Sequence, residues 1–344
     1  MSGEKITLWT RYSRLGASSR LRFFQYLPLL REAGFSPEIS AFFDDGYLRR
    51  LYAGGGRSPF ALLRAYRDRF RRMRECAADD APALIEYELL PGLPYSAEAR
   101  FLAGRRYFLN FDDAVHLRYG KLPFLRRKYP RLIAGAAGII VANDLLMEEF
   151  GALNGNLLKL PTIPPETIAP ATGQNPEKLT LIWTGTPVTF GYLKQRENAF
   201  KLAARHVDYQ LLIVGGGAPL DGVACRCIPW SEAAEAEAFA QAHAGVMPLP
   251  DTPFARGKSA YKLICCLRAG IPGIASPVGE NRQVIRHEVN GLLAESDEEW
   301  AEAIRRLADR EFLAALSRGA AASAERYMLR PSAEKLAEFL RRRP

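Results

Sequence analysis

Residues Gly245–Leu293 read GVMPLPDTPFARGKSAYKLICCLRAGIPGIASPVGENRQVIRHEVNGLL. Gly245–Pro248 is an apolar run of strand length, and a loop follows it. A helix is predicted over Lys258–Ala269, a second strand over Gly273–Ser276 and a helix over Asn281–His287. Strands separated by helices of this length predict parallel pairing, with helices covering both faces of the sheet.

The same alternation extends in both directions. Upstream, strands are predicted at Leu179–Thr184, Tyr209–Val214 and Cys225–Ile228, with helices at Phe190–His206 and Ser231–Ala242. Downstream the chain is helical over Asp297–Asp309, Glu311–Tyr327 and Ser332–Arg343. An earlier cycle holds strands Lys5–Thr10, Ser36–Phe42, Ala83–Glu88, Arg106–Phe111, Gly138–Ala142 and Leu157–Leu160. Its helices include Arg20–Ala33, closed by Gly34, and Ser58–Ala77. Between the cycles, Pro161–Lys178 carries five prolines and almost no periodicity, which predicts a linker. The expected organisation is an N-terminal domain over 1–162, a linker over 163–178 and a second domain over 179–328. A C-terminal helix over 329–344 is expected to pack back on the first domain. The chain has 344 residues, enough for two cores. Two such units place a cleft between the carboxyl ends of two parallel sheets, where open α/β sheets bind ligands.

Composition narrows the class. Hydrophobic residues make up 48% and charged residues 25%, as in ordinary globular proteins rather than disordered or fibrous ones. The first ten residues lack the apolar core of a signal peptide. The apolar run Leu132–Ala142 is well short of the roughly 20 residues that span a bilayer. Five cysteines, at 76, 225, 227, 265 and 266, form no C-x-x-C pair and read as reduced thiols. A zinc site from Cys225, Cys227 and a histidine matches no common spacing. These features predict a cytoplasmic protein, soluble or peripheral at the inner face of the plasma membrane. The net charge of +9 is uneven: residues 1–170 hold 25 Lys and Arg against 18 Asp and Glu, and residues 171–344 hold 22 against 20. The excess points to an anionic partner for the first half.

Several constellations fit ligand chemistry. Gly257-Lys258-Ser259-Ala260 is placed at a helix N-terminus, whose N–H groups and dipole suit a diphosphate. Lys258 adds a point charge, and Lys262, four residues on, is expected on the same face. Gly16–Arg20 joins the first strand to the first helix through small residues that permit close backbone approach. Arg20 could face a phosphate or an acidic acceptor, and Ser18 or Ser19 could simply cap the helix. Asp112 and Asp113 end a buried strand and are expected to point to opposite faces rather than share a proton. Trp230 could close a base pocket or serve as core. Gly215–Gly217 suits a phosphate loop or a tight turn equally. The helix Ser58–Ala77 interleaves Arg64, Arg67, Arg69, Arg71, Arg72 and Arg74 with Phe60, Leu63, Phe70 and Met73; Arg126-Arg127-Lys128 adds a second basic run. Basic residues beside aromatics suit an anionic bilayer surface; the plainer reading is a solvated face over a core stripe. No nucleic-acid recognition motif is present.

The Gly245–Leu293 stretch resembles the C-terminal domain of group 1 glycosyltransferases (family 4, retaining). The likeness rests on P-L-P at 248–250, K-L-x-x-x-x-x-A-G-x-P from Lys262, and S-P-V-G-x-N-R…N-G-L-L from Ser276. ASSRLRFFQYLPLLREAGF (Ala17–Phe35), FDDAVH (Phe111–His116), TGT (Thr184–Thr186) and VGGG (Val214–Gly217) extend it over nearly the whole chain. The resemblance implies an α/β GT-B fold: two Rossmann-like domains with parallel sheets facing a central cleft. It implies a nucleoside-diphosphate sugar as donor and a glycan or lipid-linked acceptor, in bacterial surface polysaccharide or lipid-linked glycan synthesis. Donor contacts would come from Gly16, Arg20, Thr186, Trp230, Gly257, Lys258, Ser259, Ala260, Lys262, Cys265, Gly279 and Asn281. Asp113 and Lys258 would be catalytic, and Arg64, Arg67, Arg71, Arg126, Arg127 and Lys128 would form a membrane or acceptor surface. Neither a metal nor another cofactor is implied, and no nucleic acid is expected as partner. The family's glutamate pair falls on Gly257 and Cys265, neither acidic. Two alternatives stay open: a sugar-nucleotide epimerase using His116 with Asp113, and a nucleotide binder without catalysis.

Overall fold

The computed structural model describes residues 3–56, 58–120, 122–172 and 178–342. Residues 173–177 of the predicted linker lie outside the described residues. The chain divides into two compact units: the first runs to Thr162 and takes the C-terminal segment from Leu329, and the second spans Ile163–Met328.

In the first unit six strands form one parallel sheet: β1 (Glu4–Tyr12), β2 (Phe35–Phe43), β3 (Ala83–Glu86), β4 (Tyr107–Phe111), β5 (Gly138–Val141) and β6 (Leu157–Lys159). Their order is β2-β1-β3-β4-β5-β6. Apolar residues continue through each central strand because both faces are covered. Ile85 and Leu109 face one core with Trp9, Leu132 and Phe150. Leu84 and Phe108 face the other, filled by Phe23, Leu30, Leu336, Phe339 and Leu340. The C-terminal helix Leu329–Arg341 belongs to that second layer, with the Phe339 ring 5.7 Å from Phe108.

The second unit repeats the plan with β7 (Leu179–Gly185), β8 (Tyr209–Gly215), β9 (Cys225–Ile228), β10 (Ala244–Met247), β11 (Gly273–Ala275) and β12 (Gly291–Leu293). The order is β12-β11-β10-β7-β8-β9, again parallel. Leu181, Trp183 and Ile213 pack on one face with Phe200 and Trp300. Ile182, Leu212 and Val214 pack on the other with Phe239, Cys265 and Cys266. Part of the proline-rich segment joins this second layer: Ile168 is buried in it, and Ala171 N–H donates to the Ala269 carbonyl at 2.8 Å. Two buried isoleucines, Ile163 and Ile168, anchor a stretch whose prolines suggested only a connector.

Local signals set most helix ends. The hydroxyl of Ser58 accepts from Ala61 N–H and opens the helix Pro59–Glu75, with Pro59 in its first turn. Ser296 and Glu299 form a reciprocal capping box for Asp297–Arg306. Two expected helices are broken. Arg20–Ala33 becomes Ala17–Arg22, a 3-10 turn Phe24–Tyr26 and Leu27–Glu32, because Pro28 has no N–H to continue the ladder. Phe190–His206 becomes Pro187–Lys194 and Glu197–Ala204; Arg196 leaves helical backbone (φ −103°, ψ 14°) and pairs with Asp297 at 3.0 Å.

Candidate functional site

In an open α/β sheet, ligands gather where the strand order reverses. In the second unit that point lies between β7 and β10, in the first between β1 and β3.

At the end of β7, Thr186 caps the helix Pro187–Lys194 in a reciprocal pair with Thr189. Gly216 N–H donates to the Gly185 carbonyl at 2.8 Å. A Cβ on Gly216 would lie 2.1 Å from Pro187 Cδ, and one on Gly215 (φ +100°) 2.2 Å from the Gly185 oxygen. The glycines of the Gly215–Gly217 run thus let two turns lie on each other, which favours the tight-turn reading over a phosphate loop. Beyond β10, the short helix Pro253–Arg256 ends at Gly257, and Ala260 adopts a left-handed backbone (φ 52°) before the helix Tyr261–Arg268. The start expected at Lys258 is therefore three residues late. Lys258 sits in the connection, its Nζ 5.1 Å from the Phe254 ring centroid; Lys262 is in the helix, its Nζ 5.7 Å from that of Trp183. The two lysines do not share a helical face. Gly279 (φ +53°) presses its backbone onto this connection: a Cβ there would lie 2.1 Å from the Arg256 oxygen. The segments 256–260 and 277–280 thus form one packed rim at the carboxyl edge of the sheet.

Five donor residues expected in this unit are buried: Gly257, Ser259 and Ala260 of the rim, and also Cys265 and Asn281. Cys265 has 0% exposure inside the Leu212–Phe239 layer, and burial pushes its thiol well above the usual range, with the Glu235 charge adding to it. It is a core residue, correcting its assignment to the donor. Asn281 is 1% exposed and donates its amide N–H to the Ser276 carbonyl at 3.0 Å, which holds the turn, while its buried Oδ1 has no hydrogen-bond partner. Trp230 is half-buried, with Gly215 beside its Cβ.

In the first unit the β1–β3 edge is built from charge. Glu86 accepts from Arg11 N–H at 2.7 Å and from the Ser19 hydroxyl at 2.5 Å; burial raises its carboxyl and these bonds draw it back. Ser19 is thereby tied to Glu86 and Tyr12, not to the helix end; Gly16 is the N-cap. A Cβ on Gly16 would lie 2.3 Å from Tyr12 Cβ, so the glycine serves this packing. Arg20 is 6% exposed, with Nη1 reaching the Leu15 carbonyl at 3.4 Å. Glu88 accepts from Arg11 (2.9 Å), Tyr119 (2.8 Å) and Tyr129 (3.2 Å). Lys128 bridges Glu88 at 2.7 Å and Glu98 at 2.5 Å and donates to the Leu90 and Leu93 carbonyls at 2.7 Å.

Lys128, at 1% exposure, is thus not part of a basic surface. Arg69, in the expected basic face, is buried too: it donates to the Thr10 and Ser40 carbonyls and lies 5.0 Å from the Trp9 ring centroid. Burial lowers its guanidinium to about 9.

Where β4 ends, Tyr87 from the neighbouring strand holds a left-handed backbone (φ 62°) and donates its hydroxyl to Asp112. Burial, and then the charge of Asp113, pushes the Asp112 carboxyl up to about 7. The Asp113 charge therefore acts on Asp112, whose side chain was expected to point to the opposite face. Asp113 is half-buried beside it. His116 Nε2 meets Glu149 at 2.8 Å and its ring packs on Phe150, so the structure does not pair it with Asp113 as an epimerase would need. Among the described residues no group of three or more His, Cys, Asp or Glu is placed to hold a metal ion.

Residues 194–310 match the family described as glycosyl transferases group 1. The solved structures similar to the chain carry the GT-B fold. Sucrose-phosphate synthase from Thermosynechococcus elongatus aligns with a TM-score of 0.71 at 14% identity, over 98% of both chains. Anabaena HepE in complex with UDP and glucose aligns at 0.69 and 13%, over 98% of this chain and 99% of that one. The lipopolysaccharide outer core galactosyltransferase WaaB aligns at 0.62 and 14%, over 98% and 99%. No curated protein matches the sequence. The fold is therefore GT-B.

The matched segment holds β8 to β12 and the whole 256–260 and 277–280 rim. It also holds Glu235, which the sequence did not single out. This carboxylate is 6% exposed, and its Oε1 accepts from the Thr184 hydroxyl at 2.6 Å.

Proposed function

We propose that this protein is a glycosyltransferase that moves a sugar from a nucleoside diphosphate to an acceptor hydroxyl. The observation that carries this reading is the rim of the second unit. There Lys258 and the Gly257–Ala260 backbone stand at the carboxyl edge beside the strand-order reversal, inside the segment that matches group 1 glycosyl transferases. In the reaction the bond from the anomeric carbon to the phosphate oxygen breaks, and its electron pair leaves on the diphosphate. The acceptor oxygen bonds to that carbon and passes its proton to the departing diphosphate oxygen. Lys258 and the rim's N–H groups would stabilise the charge developing on the leaving group. No enzyme nucleophile is needed. We take the transfer to be retaining, to need no metal, and to serve a surface polysaccharide or lipid-linked glycan. The sequence resemblance supports these finer points.

Thermal unfolding with UDP-, GDP-, ADP- and TDP-sugars, with nucleotide release followed in parallel, tests the reading. One donor should stabilise the protein, by about 2.7 kcal/mol at a hundredfold excess over Kd. Lys258→Ala should weaken that donor by roughly 10- to 100-fold, the worth of a charge-assisted bond. Stabilisation by none of the four would sink the proposal; binding without release, even with acceptor glycans added, would favour a non-catalytic binder.

A peripheral membrane location is the second part of the reading, and the helix Pro59–Glu75 supports it. Its buried positions are Ala65, Arg69 and Met73, while Phe60 is 85% and Leu63 69% exposed. Arg64, Arg67 and Arg71 are exposed around them, and Arg126 and Arg127 are exposed beside Phe124. Phe60 and Leu63 thus face outward instead of forming the core stripe of the plainer reading. Among the described residues no helix is long and apolar enough to cross a bilayer, so attachment would be at the surface. Sedimentation with phosphatidylserine-containing vesicles should pull the protein down, and high salt should release it. Exchanging Arg64, Arg67 and Arg71 for glutamine should cut binding at least about 30-fold, since each basic residue contributes about 1 kcal/mol. Equal binding to zwitterionic vesicles would count against it.

A further inference from the structure

Glu235 lies in the first turns of the helix Glu232–Gln241, which Ser231 caps by accepting from Ala234 N–H at 3.0 Å. It stands over the end of β7, where the strand order reverses toward β10. Thr184, itself 5% exposed, donates to Oε1; no described residue donates to Oε2, and no described cation pairs with the carboxylate. Desolvating a carboxylate without an ion-pair partner is costly. The helix N-terminus and one hydroxyl offset only part of that cost. The group is therefore built to receive something.

Its chemistry restricts what. An ionised carboxylate only accepts hydrogen bonds, so the ligand must present donors. It repels phosphate, and the cationic groups that suit a diphosphate, Lys258 and Lys262, are on a different segment. Trp230 precedes the capping Ser231, and Glu235 is the fourth residue of the helix. The residue before the cap and the fourth residue of a helix lie on the same side of its start, so Trp230 and Glu235 belong to one side of this helix end. A pair of neighbouring hydroxyls beside a flat ring is what a ribonucleoside offers, and an acidic side chain on ribose hydroxyls is the usual arrangement in Rossmann-type sheets. The helix Tyr261–Arg268 provides no such acid: its Cys265 is a buried thiol.

We propose that Glu235 binds the ribose hydroxyls of the nucleoside-diphosphate donor, with Thr184 as the residue that positions it. This rests on the glycosyltransferase reading and assigns the nucleoside end of the donor to an acid on a different helix from the one the sequence resemblance points to.

Calorimetry with UDP, GDP and ADP and their 2′,3′-dideoxy counterparts separates the two claims. The wild-type protein should prefer one ribonucleotide over its dideoxy form by about 10- to 100-fold, as expected for hydrogen bonds to a charged group. Glu235→Ala should lose that preference, binding the ribonucleotide as weakly as the dideoxy form while leaving the dideoxy affinity unchanged. Thr184→Val should lose part of the preference and Thr184→Ser should restore it. If Glu235→Ala keeps the wild-type ratio, or weakens both forms equally, the ribose assignment is overturned while the donor reading stands. If the wild-type protein binds none of the six nucleotides, both fall together.

Discussion

Lys128→Met should lower the stability of the first unit by about 3–5 kcal/mol, the range seen when one partner of a buried ion pair is removed. The side chain is fully enclosed and holds two carboxylates and two backbone carbonyls. Methionine keeps most of the volume, so the loss would come from charge and not from a cavity. Glu98 would suffer most, because burial already raises its carboxyl and Lys128 is the main force drawing it back. Glu88 keeps Arg11 and two tyrosine hydroxyls. Adding Glu98→Gln to Lys128→Met should therefore recover part of the loss. Urea unfolding of the two variants checks this. A single variant as stable as wild type would show that the buried network is not holding the Leu89–Leu93 turn.

The second large effect is one of pH. Asp112 has a carboxyl raised from 3.8 to about 7, by burial first and the neighbouring Asp113 charge second. The folded protein then holds a proton that the unfolded chain has released between those values. The contribution of Asp112 to stability is thus fully present below about pH 4 and is lost as pH rises through about 7. Three units correspond to a ceiling of about 4 kcal/mol, at 1.36 kcal/mol each, and water at the half-buried carboxyl reduces it. Asp112→Asn removes the titration and keeps an oxygen for the Tyr87 hydroxyl. Its stability should match wild type near pH 4 and exceed it increasingly toward pH 8. Denaturant unfolding across that range reads the difference directly; a difference independent of pH would mean that Asp112 titrates as an ordinary surface acid. Asp113→Asn should shift the window to lower pH by removing the second cause.

Both effects arise at places where reading the chain in order could not follow. Lys128 belongs to an Arg-Arg-Lys run, and by itself such a run signals a solvated face. Its burial depends on Glu88 and Glu98, some thirty to forty residues away, arriving from the end of β3 and the helix after it. Arg69 is hidden in the same way by Trp9 and Phe42 from β1 and β2. The two aspartates were legible as a strand end, but the burial that raises the Asp112 carboxyl was not, because it comes from what the rest of the chain packs around it. In the second unit the glycine-rich turns and the Lys258 loop stood out. Cys265 and Asn281 did not show their burial, since the Ile182–Leu212 layer that encloses the thiol and the Ser276 carbonyl that takes the amide are set by packing.

The sequence by itself determined the α/β alternation, eleven of the twelve strands and the segment that forms the rim at the carboxyl edge of the second sheet. Those rest on local quantities: apolar runs of strand length, helix caps, and glycines where the backbone must turn or touch. The three-residue β12 escaped because it is too short to display a period. Only the tertiary structure decided which charges are buried, which apolar residues of the helix Pro59–Glu75 face outward, and that Glu235 meets Thr184 across 51 residues of chain. The reason is physical: a side chain's solvation depends on what the rest of the chain places around it, and no local pattern records that.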